Sequence, residues 1–125
     1  MKEQIFPKDG PPPAGPYSPA IRANGFLFVS GQGPIDLSTG KPLRGAIEDQ
    51  VHRTMKNLKM ILESAGSSLD KVVKTTIYLK DIGNFAKVNE VYGSYFTGVP
   101  PARTTIQVAD LPFQIDVEIE AISLD

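Results

Sequence analysis

Apolar and polar positions recur along this chain with two different periods, and each change of period marks a new element. Ile47, Val51, Met55, Leu58, Leu62 and Ala65 return at steps of three and four. That spacing lays one apolar stripe along a helix, so a helix is predicted from Ala46 to Ala65, with Gly66 as its C-terminal cap. From Val72 to Lys80 the period drops to two: Val73, Thr75, Ile77 and Leu79 alternate with Lys74, Thr76, Tyr78 and Lys80, which predicts a strand. The helical period returns from Asn84 to Phe96, with Asn84 as N-cap and Phe85, Val88, Tyr92, Tyr95 and Phe96 on the buried face.

The remaining segments read as strands and turns. Gln4 to Phe6 is a short first strand. Gly10 to Pro16 carries four prolines and predicts a stiff extended segment over a surface, ending at Tyr17. Ala20–Ala23 and Phe26–Ser30 flank Asn24-Gly25, whose readiness for positive φ predicts a type I′ hairpin. Gly31 to Pro34 breaks that strand, and Asp36 to Gly40 forms a turn. Near the C-terminus, Pro100–Ala109 and Gln114–Ala121 flank Asp110-Leu111-Pro112-Phe113, which predicts a second hairpin. With Ala109 opposite Gln114, Thr105 faces Glu118 and Arg103 faces Glu120. Arg103, Thr105, Asp116, Glu118 and Glu120 then share one face, and Thr104, Ile106, Val108, Ile115, Val117 and Ile119 the other.

The element order is therefore β-β-β-α-β-α-β-β, an α+β fold with a mixed sheet and both helices on one face. Each helix joins parallel strands by a right-handed crossover. Nothing in the chain covers the second face, which is then either wet or covered by another subunit. A homo-oligomer with sites between subunits is the expectation. The polar stripe has two readings. It is a solvated face with weak surface ion pairs, or it is a covered site. In the second case the planar fork of Arg103 grips an anionic substrate, and a glutamate with a raised pKa handles protons or water.

Composition narrows the chemistry. The chain has 125 residues, a formal net charge of −1 and a sequence pI of about 5.8, which fits a single domain over 1–125. No basic stripe is visible, so nucleic acid is a poor partner. There is no cysteine, which removes disulfides, thiolate catalysis and Cys-type zinc sites. No apolar run reaches transmembrane length and Met1-Lys2-Glu3-Gln4 opens no signal peptide, so a cytoplasmic protein is expected. His52 is the only histidine and is expected on the surface of the first helix. Ser-His-Asp and histidine-metal chemistry have no support. Ser30 lacks the first glycine of a nucleophile elbow. Gly31-Gln32-Gly33 is followed by Asp36 where a dinucleotide fingerprint needs glycine or alanine. What is left is Arg103, carboxylates, hydroxyls and backbone amides.

Several of these stretches, in order along nearly the whole chain, resemble one family. They are Gly15-Pro16-Tyr17-Ser18-Pro19-Ala20-Ile21, Val29-Ser30-Gly31-Gln32, Pro34-Ile35-Asp36 with Thr39-Gly40, Asn57-Leu58-Lys59 with Ile61-Leu62-Glu63, Val88-Asn89 with Tyr92, Pro101-Ala102-Arg103 and Val117-Glu118-Ile119-Glu120-Ala121. The family is that of the reactive-intermediate deaminases, in the RidA branch also called L-PSP or translation inhibitor. The resemblance implies a chorismate-mutase-like subunit and a homotrimer around a central β-barrel, with clefts between neighbours. It implies hydrolysis of 2-imino acids, such as 2-iminobutanoate and 2-iminopropanoate, to 2-oxo acids and ammonia, with no cofactor and no metal. Arg103 then matches the arginine that clamps the substrate carboxylate, and Glu118 the glutamate that positions the attacking water. Tyr17 matches a cleft tyrosine contributed across the interface. Ser30, Gly31 and Asn89 match pocket-lining residues.

The chain departs from the family pattern at three positions. Thr105 stands where many members have cysteine, with its backbone N–H still turned to the ligand. Gly33 stands where isoleucine is common and is expected to widen or loosen the wall near the substrate tail. Thr104 is unusual after the arginine. Plainer roles stand beside these: Tyr17 as a packing anchor, Asn89 as a helix-surface amide, Ser30 as a strand-end cap. Two other functions stay open. One is a metabolite-binding regulatory module using the same cleft without turnover. The other is a ribonuclease or translation inhibitor, which the single histidine and the acidic pI disfavour.

Overall fold

The first hairpin forms where the turn chemistry places it. In a computed structural model describing residues 1–125, Asn24 and Gly25 both take left-handed backbone, with φ of 55° and 83°, as a type I′ turn requires. They join β2 (Ala20–Ala23) to β3 (Phe26–Gln32), and β1 (Glu3–Ile5) pairs with the outer edge of β2. The Asp36–Gly40 turn is closed by two short strands, β4 (Ile35–Asp36) and β5 (Lys41–Pro42), which the sequence pattern does not show. Asp36 Oδ1 accepts from the Ser38 N–H at 2.9 Å inside that turn.

Helix α1 (Ile47–Ser64) follows the apolar stripe closely. Gly66, at φ 85°, lies just past its cap residue Ala65, and the Ser67 N–H returns to Leu62 O at 2.9 Å. That closure satisfies carbonyls the helix end would leave open. Strand β6 (Val72–Leu79) also lies where the alternation puts it. Helix α2 (Phe85–Gly93) is shorter than predicted. After Gly93 the chain tightens, with Tyr95 N–H on Tyr92 O at 3.1 Å and Phe96 N–H on Gly93 O at 3.2 Å. Asn84 makes no side-chain cap. Asp81 instead accepts from the Gly83 N–H one turn earlier. Phe85 is not core either, at 42% exposed.

The last two strands, β7 (Ala102–Gln107) and β8 (Val117–Leu124), correct the expected C-terminal hairpin. The sheet order is β1-β2-β3-β8-β6-β7, so β6 separates them. β7 runs parallel to β6 at the edge, and β8 runs antiparallel to both β3 and β6. The mixed α+β sheet and the parallel relation of the strands flanking each helix are as predicted. The pairing is not. Val117, Ile119, Ala121 and Ser123 are all buried, whereas Ala102, Thr104 and Ile106 are exposed. The strand with the more buried face takes the centre, where both of its edges are paired. The half-exposed strand takes the rim.

The insertion of β6 also changes the faces. Thr75 is in register with both Arg103 and Ala121, and Tyr78 with both Ile106 and Glu118. Residues in register point the same way. Arg103 and Thr105 therefore lie on the helix side with Thr75 and Ile77. Glu118 and Glu120 lie on the other side with Tyr78 and Thr76. The shared polar face does not exist within one chain. An offset of one residue in pairing is enough to reverse a strand's faces.

Both helices cover the first side. Leu27, Val51, Met55, Leu58, Leu62, Ile77, Leu79, Val117 and Ile119 form one cluster between them and the sheet. Each such side chain contributes about 1.5–3 kcal/mol by leaving water. The second side has no cover within the chain, and Phe26, Phe28, Ile106 and Leu124 stay partly exposed on it.

Candidate functional site

The predicted site residues fall into two groups on opposite sides of the sheet. The first gathers where α2 crosses β7. Phe85, Asn89 and Tyr92 follow one another at steps of four and three, so they share one stripe of α2. β7 delivers Arg103 against that stripe. Its guanidinium carbon lies 5.4 Å from the centre of the Phe85 ring and 5.1 Å from that of Tyr92. Aromatic faces hold a planar cation in this way without neutralising it. Tyr92 is fixed in turn by a buried 2.7 Å hydrogen bond between its hydroxyl and Thr75 Oγ1. Burial pushes the Tyr92 hydroxyl's pKa up, although the Thr75 bond and the Arg103 charge pull against it.

The ion pairs of the chain are Arg22 with Glu3 and Asp125, and Lys80 with Asp110. Arg103 is in none of them, so its fork is half-buried, oriented and unneutralised. Two positions along the strand, Thr105 Oγ1 is buried without a hydrogen-bond partner.

The second group lines a cleft of about 650 Å³ between the proline-rich segment, the end of β3, α1 and the 112–115 turn. Tyr17, Ser30, Gly31, Glu118 and Glu120 all line it. Glu118 is half-buried, and its pKa is raised above the ordinary glutamate value, by burial first and by the charge of Glu120 second. Glu120 is held by the Tyr78 hydroxyl, which donates to it. That bond, with burial behind it, pushes the Tyr78 pKa up to about 12.

Gly31 sits directly beside Glu118. A Cβ at position 31 would lie 2.7 Å from Glu118 Cδ and 3.0 Å from its Cγ, inside ordinary contact. Only glycine leaves the carboxylate where it is. Tyr17 is half-exposed, and its hydroxyl accepts from the Ala14 N–H at 3.3 Å. The Ser30 hydroxyl donates to Ser18 O at 2.6 Å, and the Ser30 N–H to Pro19 O at 3.0 Å. Its proton is thus spent on holding the proline-rich segment to β3, and only its lone pairs are left for a ligand.

Gly33 corrects another expectation. A Cβ there would lie 2.7 Å from Ile115 Cδ1. Ile115 already occupies the space beside the glycine, so the wall is not widened. The exposed position of His52 agrees with the sequence reading; its Nδ1 and the Tyr95 hydroxyl are 2.9 Å apart.

Residues that sequence reasoning left without a role brace the cleft from α1. Gln50, 1% exposed, donates to Asp116 Oδ2 at 2.8 Å and accepts from the Asp116 N–H at 3.2 Å. Asn57, 2% exposed, donates to Gly33 O at 3.2 Å and Ile35 O at 2.8 Å. The usable signal was polar side chains at 50, 54 and 57, helical steps beside the apolar stripe. The aromatic platform under Arg103 was likewise visible only as apolar spacing on α2.

The family model described as endoribonuclease L-PSP matches residues 7–124. The chain belongs to the RidA/L-PSP family. Its relatives include a RutC family protein of Pyrococcus horikoshii, 52% identical over 98% of both chains. Another is the chloroplastic Reactive Intermediate Deaminase A of Arabidopsis thaliana, 43% identical over 98% of this chain and 65% of that one. Among solved structures, TdcF of E. coli with bound serine superposes with a TM-score of 0.92 at 33% identity, covering 98% of each chain. A member of the RidA/L-PSP family thus holds a small amino acid. No helix of this chain is long and apolar enough to cross a membrane.

Proposed function

We propose that this RidA/L-PSP chain hydrolyses 2-imino acids, with 2-iminobutanoate and 2-iminopropanoate as reference substrates, to 2-oxo acids and ammonia. The observation that carries this reading is Arg103, a forked cation clamped between two rings with no carboxylate of its own. A small carboxylate is the partner its geometry fits. The serine held by TdcF and the deaminase name of the Arabidopsis relative support the same ligand class.

Because Arg103 and Glu118 face opposite sides of one sheet, a single subunit cannot use both on one small molecule. The proposed site is therefore shared. Arg103, Thr105 and Asn89 of one subunit meet Tyr17, Gly31 and Glu118 of its neighbour, in a homotrimer whose subunits cover one another's open sheet faces. A heterologous contact of this kind repeats around a closed ring.

Arg103 anchors the carboxylate and so fixes the imine carbon. Glu118, ionised, takes a proton from water as the water oxygen bonds to that carbon. Glu118 passes that proton to nitrogen, which gives a carbinolamine; it then takes the proton of the new hydroxyl and delivers it to nitrogen as the C–N bond breaks, so ammonia leaves and the oxygen becomes the carbonyl. The chain's own groups suffice for these steps. We also propose a cytoplasmic location, noting that the Arabidopsis relative is chloroplastic by name.

The test mixes two crippled variants. Arg103→Ala and Glu118→Gln should each keep only a small residual turnover on 2-iminobutanoate generated in situ and trapped with semicarbazide. Refolded together in equal amounts, they should regain about a quarter of wild-type activity, since about one interface in four pairs an intact arginine with an intact glutamate. Activity that never returns, or a wild-type chain that runs as a monomer in light scattering at micromolar concentration, refutes the shared site.

A further inference from the structure

The turn closing the far side of the cleft breaks two local rules at one residue. Phe113 and Gln114 are both left-handed, with φ of 63° and 57°, although neither is glycine. Phe113 is also 57% exposed, a large ring left in water. Left-handed backbone disfavours a residue with a Cβ, and a bulky one most. Such strain persists only where surrounding groups over-determine it, and it collects at ligand sites.

The surrounding groups are present. Arg44 Nη1 donates to Gln114 O at 2.9 Å, and its Nη2 to Phe113 O at 3.4 Å. The base of the loop is pinned by Lys80 N–H on Asp116 O at 3.1 Å and Val108 N–H on Leu79 O at 2.9 Å. The ring so held lines the same cleft as Glu118, together with Ile35, Leu37 and Ile115. The cleft thus has a polar end at Gly31 and Glu118 and an apolar arm ending at Phe113. Its volume of about 650 Å³ far exceeds what an imine and a carboxylate fill.

We infer that Phe113 is a specificity-determining residue, and that the apolar arm it closes takes 2-imino acids with branched or aromatic side chains in preference to those with one- and two-carbon side chains. This rests on the deaminase reading above. Within one subunit nothing covers the ring, so a substrate side chain entering the arm gives it contacts that its own chain does not. Discrimination of this kind comes from apolar area buried at the transition state, where single methylenes already change kcat/KM by an order of magnitude.

The experiment generates imines from alanine, leucine and phenylalanine with an L-amino-acid oxidase and measures kcat/KM by semicarbazide trapping. Wild type should favour the leucine- or phenylalanine-derived imine over the alanine-derived one. Phe113→Gly should lower that ratio about tenfold. Arg44→Ala, which keeps the ring but frees its turn, should lower it in the same direction. Melting temperatures check folding, and Phe113→Asn, whose side chain tolerates left-handed backbone, replaces the glycine variant if that one unfolds. A ratio unchanged in the folded variants, or a wild type that favours the alanine-derived imine, overturns the inference. If wild type hydrolyses no imine, the deaminase reading is what has failed. Calorimetry with pyruvate and 4-methyl-2-oxopentanoate then decides Phe113. Tighter binding of the longer acid, lost in Phe113→Gly, supports the selector; equal binding or none overturns it.

Discussion

Replacing Gly31 with alanine separates the chemistry of the cleft from the stability of the fold. The added methyl would lie 2.7 Å from Glu118 Cδ, where ordinary contact begins at 3.4 Å. The atoms it meets are the end of a flexible side chain, and Gly31 has no left-handed φ, so the backbone accepts alanine without strain. The carboxylate gives way instead. A reacting group displaced by about 1 Å costs on the order of 10²-fold in rate. Gly31→Ala should therefore lower kcat/KM for imine hydrolysis about a hundredfold, while the melting temperature moves by less than about 4 °C, the equivalent of roughly 1 kcal/mol in a domain of this size. The assay is semicarbazide trapping beside a thermal melt. The double variant with Glu118→Gln gives the decisive comparison. If the methyl acts through Glu118, adding it to Glu118→Gln should cost almost nothing more. Full activity in Gly31→Ala, or losses that simply multiply in the double variant, would show that Glu118 does not activate water from its observed position.

Arg103→Lys keeps the charge but loses the fork and the flat stacking surface, and should lower kcat/KM by about 10–100-fold, measured with the same trap. Phe85→Ala removes one ring of the platform at a half-exposed site and should raise KM about two- to fivefold with little change in the melt, since an exposed cation–π contact is worth about 0.5–1 kcal/mol. Glu118 has two pH signatures. Its pKa is raised in the folded chain, so its ionised form opposes folding above the unfolded value and this penalty disappears in acid. Glu118→Gln should accordingly melt higher than wild type at pH 7 and lose that advantage near pH 4. In wild type, kcat/KM should fall with acidity at a pH above that of an ordinary glutamate. Leu58→Ala, at a fully buried core position, should cost about 2–5 kcal/mol by denaturant titration while leaving KM nearly unchanged in the folded fraction.

The identity and place of most elements could be read from the residues alone. A 3.6-residue stripe defines α1 wherever it ends up, Asn24-Gly25 makes its turn from its own φ preferences, and β6 alternates whatever lies beside it. The residue types of the proposed site were legible too, through their resemblance to the RidA/L-PSP pattern. Beyond the β2–β3 hairpin, the tertiary structure alone decided which strands are neighbours. A period of two tells which side chains of one strand share a face, but it carries no information on how that face matches the face of another strand. That relation depends on the strand between them and on register, which are set by distant burial. The insertion of β6 between β7 and β8 left Arg103 beneath α2 and Glu118 on the open side. The filling of the space at Gly33 by Ile115 is likewise a contact between separate segments that no local pattern encodes.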